Sequence, residues 1–583
     1  MSVANIIIND KKIIVESGTT ILEAAQKLHI KIPTLCHLDL HDIKMVNRTA
    51  SCRICVVEVE GRRNLAPACA TPVFDGMVVK TNTMRAIQAR RTVLELILSD
   101  HPFNCLSCAK STDCELQVLA NEFGIDTRPY QGAASHYPLD ISNKAIRRDL
   151  NKCIMCRRCE TMCNEVQTVG VLTGYQRGFE AVVAPADMQP LSESTCVYCG
   201  QCVSVCPTGA LTEQTARPEI WNALFDPDKY VIAQTAPAIR AAIGEEFGMA
   251  PGEAVTGKLV AALNNLGFDD VFDTDFAADL TIMEEANEIV ERVTRQENLP
   301  ILTSCCPGWI NFLEYQFPDL SHIPSTCKSP QQMMGAIVKS YYAEKLGKKP
   351  EDIVLVSVMP CLAKKYEAAR PEFAPQGVPD VDHVVSTRGL AKMIKEAGID
   401  LATLEDEDFD HPLGESTGAG VIFGVSGGVM EAALRTAYET VTGKQLAKLE
   451  FKQVRGLEAI KTTTVNLDGT ILRLAITSGL GAARTVLEQI RNNEVQYDII
   501  EIMACPGGCI NGGGQPSIHG DFSLIEKRRQ ALYSEDEGKA LRKSHLNPSI
   551  QKLYEEFLGQ PGSEKAHRLL HTHYFPNKDY SEE

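Results

Sequence analysis

The chain has 583 residues, 44% of them hydrophobic, with 75 acidic against 58 basic side chains and a net charge of −17. That length calls for several domains, since single cores stop growing near ~250–300 residues, and the acidity argues against a nucleic-acid partner, which requires a basic face. The opening residues, MSVANIIINDKK, lack the charged-then-apolar plan of a secretory signal, and no apolar run approaches the ~18 residues that cross a bilayer, so a cytoplasmic protein without membrane attachment is expected.

The 21 cysteines divide into two sets. Fifteen lie at or before Cys206, the next 98 residues carry none, and six follow at Cys305, Cys306, Cys327, Cys361, Cys505 and Cys509. In the cytosol, cysteines clustered in this way are metal ligands more often than disulfides.

In chain order, residues 5–15 read as a β-hairpin turning at Asn9-Asp10 between two β-branched runs. Thr20 and Glu23 form a capping box that opens a helix over ILEAAQKLHI. Cys36, then Cys52 and Cys55 in the strand-like CRICVVEVE, then Cys69 complete a C-x15-C-x2-C-x13-C pattern. Four thiolates on such a scaffold fit a 2Fe–2S cluster in a β-grasp domain, with structural zinc as the alternative. A helix over Met84–Ser99 leads to His101, Cys105, Cys108 and Cys114. Three cysteines leave a 4Fe–4S cluster one ligand short. His101 is placed to supply the fourth, although a histidine by itself is more often structural; imidazole in place of thiolate makes a cluster less negative and raises its potential.

Two C-x2-C-x2-C-x3-C runs follow, Cys153–Cys156–Cys159–Cys163 and Cys196–Cys199–Cys202–Cys206, the second ending in Pro207. This is the pattern of a two-cluster ferredoxin, in which the fourth cysteine of each run ligates the other cluster. Cys153, Cys156, Cys159 and Cys206 therefore form one set, and Cys163, Cys196, Cys199 and Cys202 the other. Fifteen cysteines and His101 thus make sixteen ligands for four clusters with none left over. This layout resembles both the largest peripheral electron-transfer subunit of respiratory complex I and the iron-only hydrogenases, and the first 216 residues do not separate the two.

From residue 217 onward strand-like pieces (VIAQTA, VFDT, PILTS, IVLVSVM, VIFGVS, LRLAIT, YDIIEIM) alternate with helical ones, including 279–297 and 330–346, which argues for α/β layers with largely parallel sheets. Three of the strands run directly into Cys305-Cys306, Cys361 and Cys505, and open α/β folds build sites at the carboxyl ends of strands. Cys505 and Cys509 are spaced by about one helical turn. The glycines around them remove side-chain bulk so that backbone can approach a large inorganic ligand.

Three motifs in this half, TSCCPGW (303–309), MPCLAKKYE (359–367) and EIMACPGGCINGGG (501–514), resemble the signature loops of the iron-only (FeFe) hydrogenases. The resemblance spans nearly the whole chain, and complex I subunits lack these loops. It implies that Cys306, Cys361, Cys505 and Cys509 hold a 4Fe–4S cubane, with Cys509 bridging to a two-iron unit bearing CO, cyanide and a dithiolate; together these form the H-cluster. Lys364 would hold a cyanide, and Pro237, Gln331, Met359, Phe423 and Met503 would pack around the two-iron unit. Ala238 stands where the family often has a cyanide-binding serine. Cys305, Glu285, Ser325, Glu288 and Arg292 match the family's proton relay, and Glu285, Glu288 and Arg292 share one helical face. Without that match the segment would read as a solvated acidic helix. Cys327 is left as a buried core thiol.

Two other signals are set aside. Leu259 replaces the Ser/Thr of a P-loop after Gly252–Lys258, and Phe423 replaces a glycine of a dinucleotide fingerprint. Neither nucleotide nor flavin is expected on this chain. Its expected units are a 2Fe–2S β-grasp domain (1–79), a histidine-ligated 4Fe–4S domain (80–138), a two-cluster ferredoxin domain (139–216), an H-cluster catalytic domain (217–520) and a segment like the family's small subunit (521–583). The expectation is reversible H2 oxidation, with electrons passing through one 2Fe–2S and three 4Fe–4S clusters to partner subunits carrying flavin, NAD(P) and 2Fe–2S centres, with or without ferredoxin and electron bifurcation. The competing expectations are a stand-alone ferredoxin-linked hydrogenase, a non-catalytic electron-transfer subunit and a hydrogen sensor.

Overall fold

The computed structural model describes residues 3–574, apart from residues 44, 46, 48, 49, 304, 447 and 468. Ser304, inside the first signature motif, therefore lies outside the described residues. So does everything beyond residue 574 in the histidine-rich end.

The N-terminal hairpin forms as its β-branched runs dictate, Val3–Ile8 pairing antiparallel with Lys11–Glu16. Asn9 and Asp10 carry the turn with φ of 47° and 68°, the left-handed pair that a two-residue hairpin needs. The helix Ile21–Lys27 opens on the expected capping box, with Thr20 and Glu23 each bonding the other's backbone N–H. It stops three residues short of the expected end. Val78–Lys80 lies parallel to the first strand and antiparallel to Val56–Val59, which pairs in turn with Ala66–Pro67, giving a five-stranded mixed sheet. Cys52 and Cys55 precede the strand at Val56 instead of lying within it.

The helix Met84–Asp100, capped by Thr83, ends immediately before His101. The two-cluster module is held by two short antiparallel pairs, Ile146–Arg148 with Leu211–Glu213 and Thr173–Tyr175 with Val182–Ala184.

The second half is built on two four-stranded sheets. In the first, Asp270–Asp273, Tyr230–Thr235, Ile353–Met359 and His383–Ser386 lie side by side, all parallel. Every residue of Ile353–Met359 is buried, which is what a central parallel strand covered on both faces requires. In the second, Ile301–Leu302, Ile499–Met503 and Thr470–Ser478 run parallel, and Ile460–Leu467 adds an antiparallel edge. Helix Thr274–Arg295 packs against helices Pro330–Ile337 and Gly428–Thr442. It begins five residues before the expected 279 because Asp273 at the end of its strand caps it directly.

VIFGVS is not a strand. Residues Gly418–Val421 and Ile422–Gly424 are helical: Thr417 caps the segment, and its glycines pack against other segments of the chain. A Cβ on Gly420 would stand 2.5 Å from the Asp275 carbonyl oxygen, and one on Gly424 would stand 2.6 Å from Leu532. The run is apolar because it is buried on all sides. A short run of that kind carries no period by which helix and strand can be told apart.

Candidate active site and its electron wiring

The three cysteine-bearing strand ends belong to different sheets: Ile353–Met359 to the first, Ile301–Leu302 and Ile499–Met503 to the second. The site is thus a seam between two sheets, not a crevice within one. Cys306 caps helix Pro307–Gln316, whose N-terminal N–H groups favour negative charge. Cys361 follows Met359 and Pro360, and Cys505 to Cys509 form a tight turn ending in a 3-10 segment at Cys509–Asn511, not the helical turn suggested by their spacing. These four thiols lie close enough to shift one another's ionisation. Burial raises the pKa of Cys361, Cys505 and Cys509, and neighbouring thiols of the same set, Cys306 among them, raise it further. Left to themselves such groups stay neutral thiols; to be held together as thiolates in a dry pocket they would need a multiply charged metal core to offset their repulsion. Gln331 adds a second sign of fit: its amide N–H donates to Glu367 at 3.0 Å, while its buried Oε1 has no partner among the described residues. The donors therefore suit the cluster that the motifs imply.

Phe423 and Met503 are buried in one apolar cluster against which Cys305 and Cys509 pack. Met359, Pro237 and Ala238 are buried as well, and Ala238 offers its carbonyl to Gln515 at 2.9 Å. Burial works against the charge on Lys364, but Glu367 at 2.9 Å outweighs it and keeps the ammonium charged. The Lys364 ammonium also donates to the Cys305 carbonyl at 3.0 Å. Two of its three N–H groups are thus taken.

Cys305 is partly buried beside Cys306, Cys509, Lys364 and Glu285, and loss of solvent around its sulfur pushes the thiol well above the usual range. On helix Thr274–Arg295, Glu285 is buried, and that burial, with Glu288 nearby, raises its carboxyl pKa to about 8 while the Ser325 hydroxyl works in the opposite direction. Ser325 donates to Glu288 at 2.7 Å, and Arg292 closes on the same carboxylate at 2.5 Å. Cys327 is a fully buried core thiol, as the sequence suggested, and its Sγ lies 3.9 Å from Glu288 Oε2 at the edge of this neighbourhood.

The early cysteines gather as four sets. Cys36, Cys52, Cys55 and Cys69 interact with one another, with 3.4 Å between the sulfurs of Cys55 and Cys69. Cys105 and Cys108 bear on Cys114. His101 Nδ1 is buried with no hydrogen-bond partner among the described residues, and burial lowers its pKa to about 4, which keeps the ring neutral and able to ligate. One cavity is lined by Cys153, Cys156, Cys159 and Cys206, and a second by Cys163, Cys196, Cys199 and Cys202, the crossed pairing that the spacing predicts. The second set adjoins the seam, for Cys199 bears on Cys505 and Cys361 on Cys199.

Sequence reasoning missed the residues that hold the third loop. Gln201 donates to the Asn511 carbonyl at 2.9 Å and Gln167 to that of Ala504 at 2.8 Å, which docks the two-cluster module. Arg528, fully buried on helix Ser523–Gly538, donates to the carbonyls of Ile510 and Pro516 at 2.9 and 3.1 Å and pairs with Glu245. Part of the glycine run also serves a purpose other than the one expected. A Cβ on Gly512 would stand 2.3 Å from the Pro360 carbonyl oxygen, and one on Gly513 would stand 2.6 Å from Gly200 Cα. These glycines let one cysteine loop lie against the backbone of the next.

Comparison with known proteins gives the same picture. Family models match along the chain: a 2Fe-2S iron-sulfur cluster binding domain at 3–84, the NADH-ubiquinone oxidoreductase-G iron-sulfur binding region at 90–129, and a 4Fe-4S dicluster domain at 143–210. The iron only hydrogenase large subunit, C-terminal domain, matches 229–513, and the iron hydrogenase small subunit matches 522–577. The NADP-reducing hydrogenase subunit HndD of Solidesulfovibrio fructosivorans is 61% identical over 99% of both chains. Iron hydrogenase 1 of Clostridium pasteurianum is 39% identical over 98% of this chain and 99% of its own. A solved apo FeFe-hydrogenase from Chlamydomonas reinhardtii covers 62% of this chain and 99% of its own at 45% identity, with a TM-score of 0.56. The first of the family models decides between iron–sulfur and zinc for the N-terminal domain.

Proposed function

The chain belongs to the iron-only hydrogenases, oxidoreductases that act on H2, and on that premise we propose the following division of labour among its residues. Cys306, Cys361, Cys505 and Cys509 hold the cubane of the H-cluster, and Lys364, Gln331, Pro237, Ala238, Met359, Phe423 and Met503 enclose its two-iron unit. When bound, that group would supply the Lewis acidity with which the H–H bond is split or formed, taking up electrons in the first direction and giving them in the second. Lys364, with two N–H groups already committed, aims its charge at an anionic ligand. The buried apolar walls keep out water, which would otherwise compete for protons and screen that charge.

Cys305, Glu285, Ser325 and Glu288 carry protons between the site and the outside, and Arg292 orients Glu288. The observation that carries this reading is the Glu285 carboxyl, pushed to about 8 by burial and by Glu288. A group titrating near neutral pH gives and takes a proton with little cost in either direction, as a reversible reaction demands. Electrons pass through one 2Fe–2S cluster (Cys36, Cys52, Cys55, Cys69) and three 4Fe–4S clusters, one of them held by His101 with Cys105, Cys108 and Cys114. The electrostatic influence of Cys199 on Cys505 supports the two-cluster module as the last step to the active site.

The NADP-reducing relative supports an acceptor chain of flavin- and NAD(P)-binding partner subunits, with electron bifurcation to ferredoxin as the finer form of that reading. We place the protein in the cytoplasm; among the described residues no helix is long and apolar enough to cross a membrane. Two experiments test the proposal. Cys305→Ala should nearly abolish turnover while leaving iron content and the infrared bands of CO and cyanide intact, and full activity would refute the relay. Isolation from the native host should bring down a flavoprotein that restores NAD(P) reduction; activity with ferredoxin alone would favour the stand-alone form.

A further inference from the structure

The histidine-rich end of the chain reaches the outer end of this relay. Helix Glu564–Leu570 delivers His571, whose backbone forms an antiparallel bridge with Cys327, secured by bonds from Lys328 N–H to the Leu570 carbonyl and from Thr572 N–H to the Thr326 carbonyl. The ring, only 6% exposed, is thereby fixed between two carboxylates of helix Thr274–Arg295. His571 Nδ1 lies 2.8 Å from Thr326 Oγ1, and that hydroxyl lies 3.3 Å from Glu288 Oε1. His571 Nε2 lies 3.1 Å from Glu284 Oε2. Glu284 is fully buried and also accepts from the Tyr554 hydroxyl and, at 2.9 Å, from the Gly562 N–H.

We infer that His571, with Glu284 as its counter-charge, is a proton acceptor coupled to Glu288 through the Thr326 hydroxyl. This rests on the relay proposed above. Glu284 can only accept from the ring when ionised, which puts the neutral imidazole's proton on Nε2 and leaves Nδ1 as an acceptor. Protonated Glu288 then donates to Thr326 Oγ1 while the Thr326 hydroxyl proton passes to Nδ1. The products are a carboxylate at Glu288, a hydroxyl at Thr326 and an imidazolium whose Nε2–H faces the Glu284 carboxylate. The reverse sequence returns the proton, and no charge is created or lost. Each H2 releases two protons into a single file, so a second acceptor at its outer end lets the first proton clear before the second arrives.

The groups facing the ring fit this role. Glu284, Glu288 and Arg292 come from one helix, Thr326 and Cys327 from the loop, and Tyr554 and His567 from the C-terminal segment, with His573 following two residues later. His567 stacks on His571 at 4.2 Å and is exposed, which places a second imidazole between the buried ring and solvent.

The test uses the matured full-length enzyme with Thr326→Val and His571→Asn, each compared with wild type by pH-dependent infrared spectroscopy of the Glu288 carboxyl band, itself assigned with Glu288→Gln. Both variants should shift the band's midpoint upward by ~1 pH unit, since the proton loses its alternative acceptor. H2 oxidation should fall about tenfold in weak buffer. Thr326→Val keeps the His571–Glu284 pair and the backbone bridge, so a shift there is not a folding effect. A wild-type midpoint in both variants overturns the inference, and a shift in His571→Asn alone overturns the hydroxyl bridge. Glu285→Gln separates this from the underlying reading: full activity in that variant refutes the relay, whereas the infrared coupling of Glu288 to His571 stands or falls independently.

Discussion

At the residue scale, the chemistry depends on a few ionisable groups whose environment sets their charge. Glu285 is protonated in the folded chain up to about 8, whereas an unfolded chain releases that proton in the ordinary carboxylate range. Between those limits the folded state binds the extra proton, so folding stability contributed by Glu285 is present at low pH and is lost as pH rises towards 8. The slope is about 1.4 kcal/mol per pH unit for one proton. Glu285→Gln should remove this slope from denaturation midpoints measured between pH 5 and 8, and an unchanged slope would show that the carboxyl is not held neutral. Cysteine spacing is a local property and was readable in the sequence, whereas Glu285, Glu288 and Arg292, though they share one helical face, were singled out only by the family resemblance. The proximity of Cys327 to Glu288 was not readable, because it depends on residues 39 apart along the chain.

At the scale of elements, the loops are held by contacts that no single motif contains. Arg528→Met should cost about 3 kcal/mol, since it strips two carbonyls of the third loop and leaves Glu245 without its partner. Thermal unfolding of the matured protein would record the loss as a lower Tm, and a neutral result would mean the loop is held without it. Gly513→Ala places a Cβ against the backbone of Gly200, where no side-chain end can yield. About 1–3 kcal/mol of strain should push the two-cluster module away from the seam. Slower electron transfer into the active site with full iron content is the expected signature. Element types were mostly legible from periodicity and caps, as the Thr20–Glu23 box shows. VIFGVS was not, because uniform burial erases the period.

At the scale of the whole molecule, the cores differ in size between the N-terminal cysteine-rich unit and the catalytic half. The N-terminal sheet packs 17 buried apolar residues, whereas the largest core of the catalytic half packs 48. Removal of iron should therefore release the first 216 residues first, because their metal-binding energy is part of their folding energy. Hydrogen exchange of the apo chain should show early opening there and continued protection of strands Tyr230–Thr235 and Ile353–Met359. Uniform opening would contradict this. Sequence alone determined how the cysteines group along the chain, since close spacing is written within a few consecutive residues. Tertiary structure alone decided where they meet: two sheets bring Cys306, Cys361 and Cys505 to one seam, Arg528 and the glycine loop fix their separation, and a C-terminal histidine reaches a carboxylate 283 residues earlier, at Glu288. Such meetings depend on packing between distant segments, which leaves no mark on the spacing of either one.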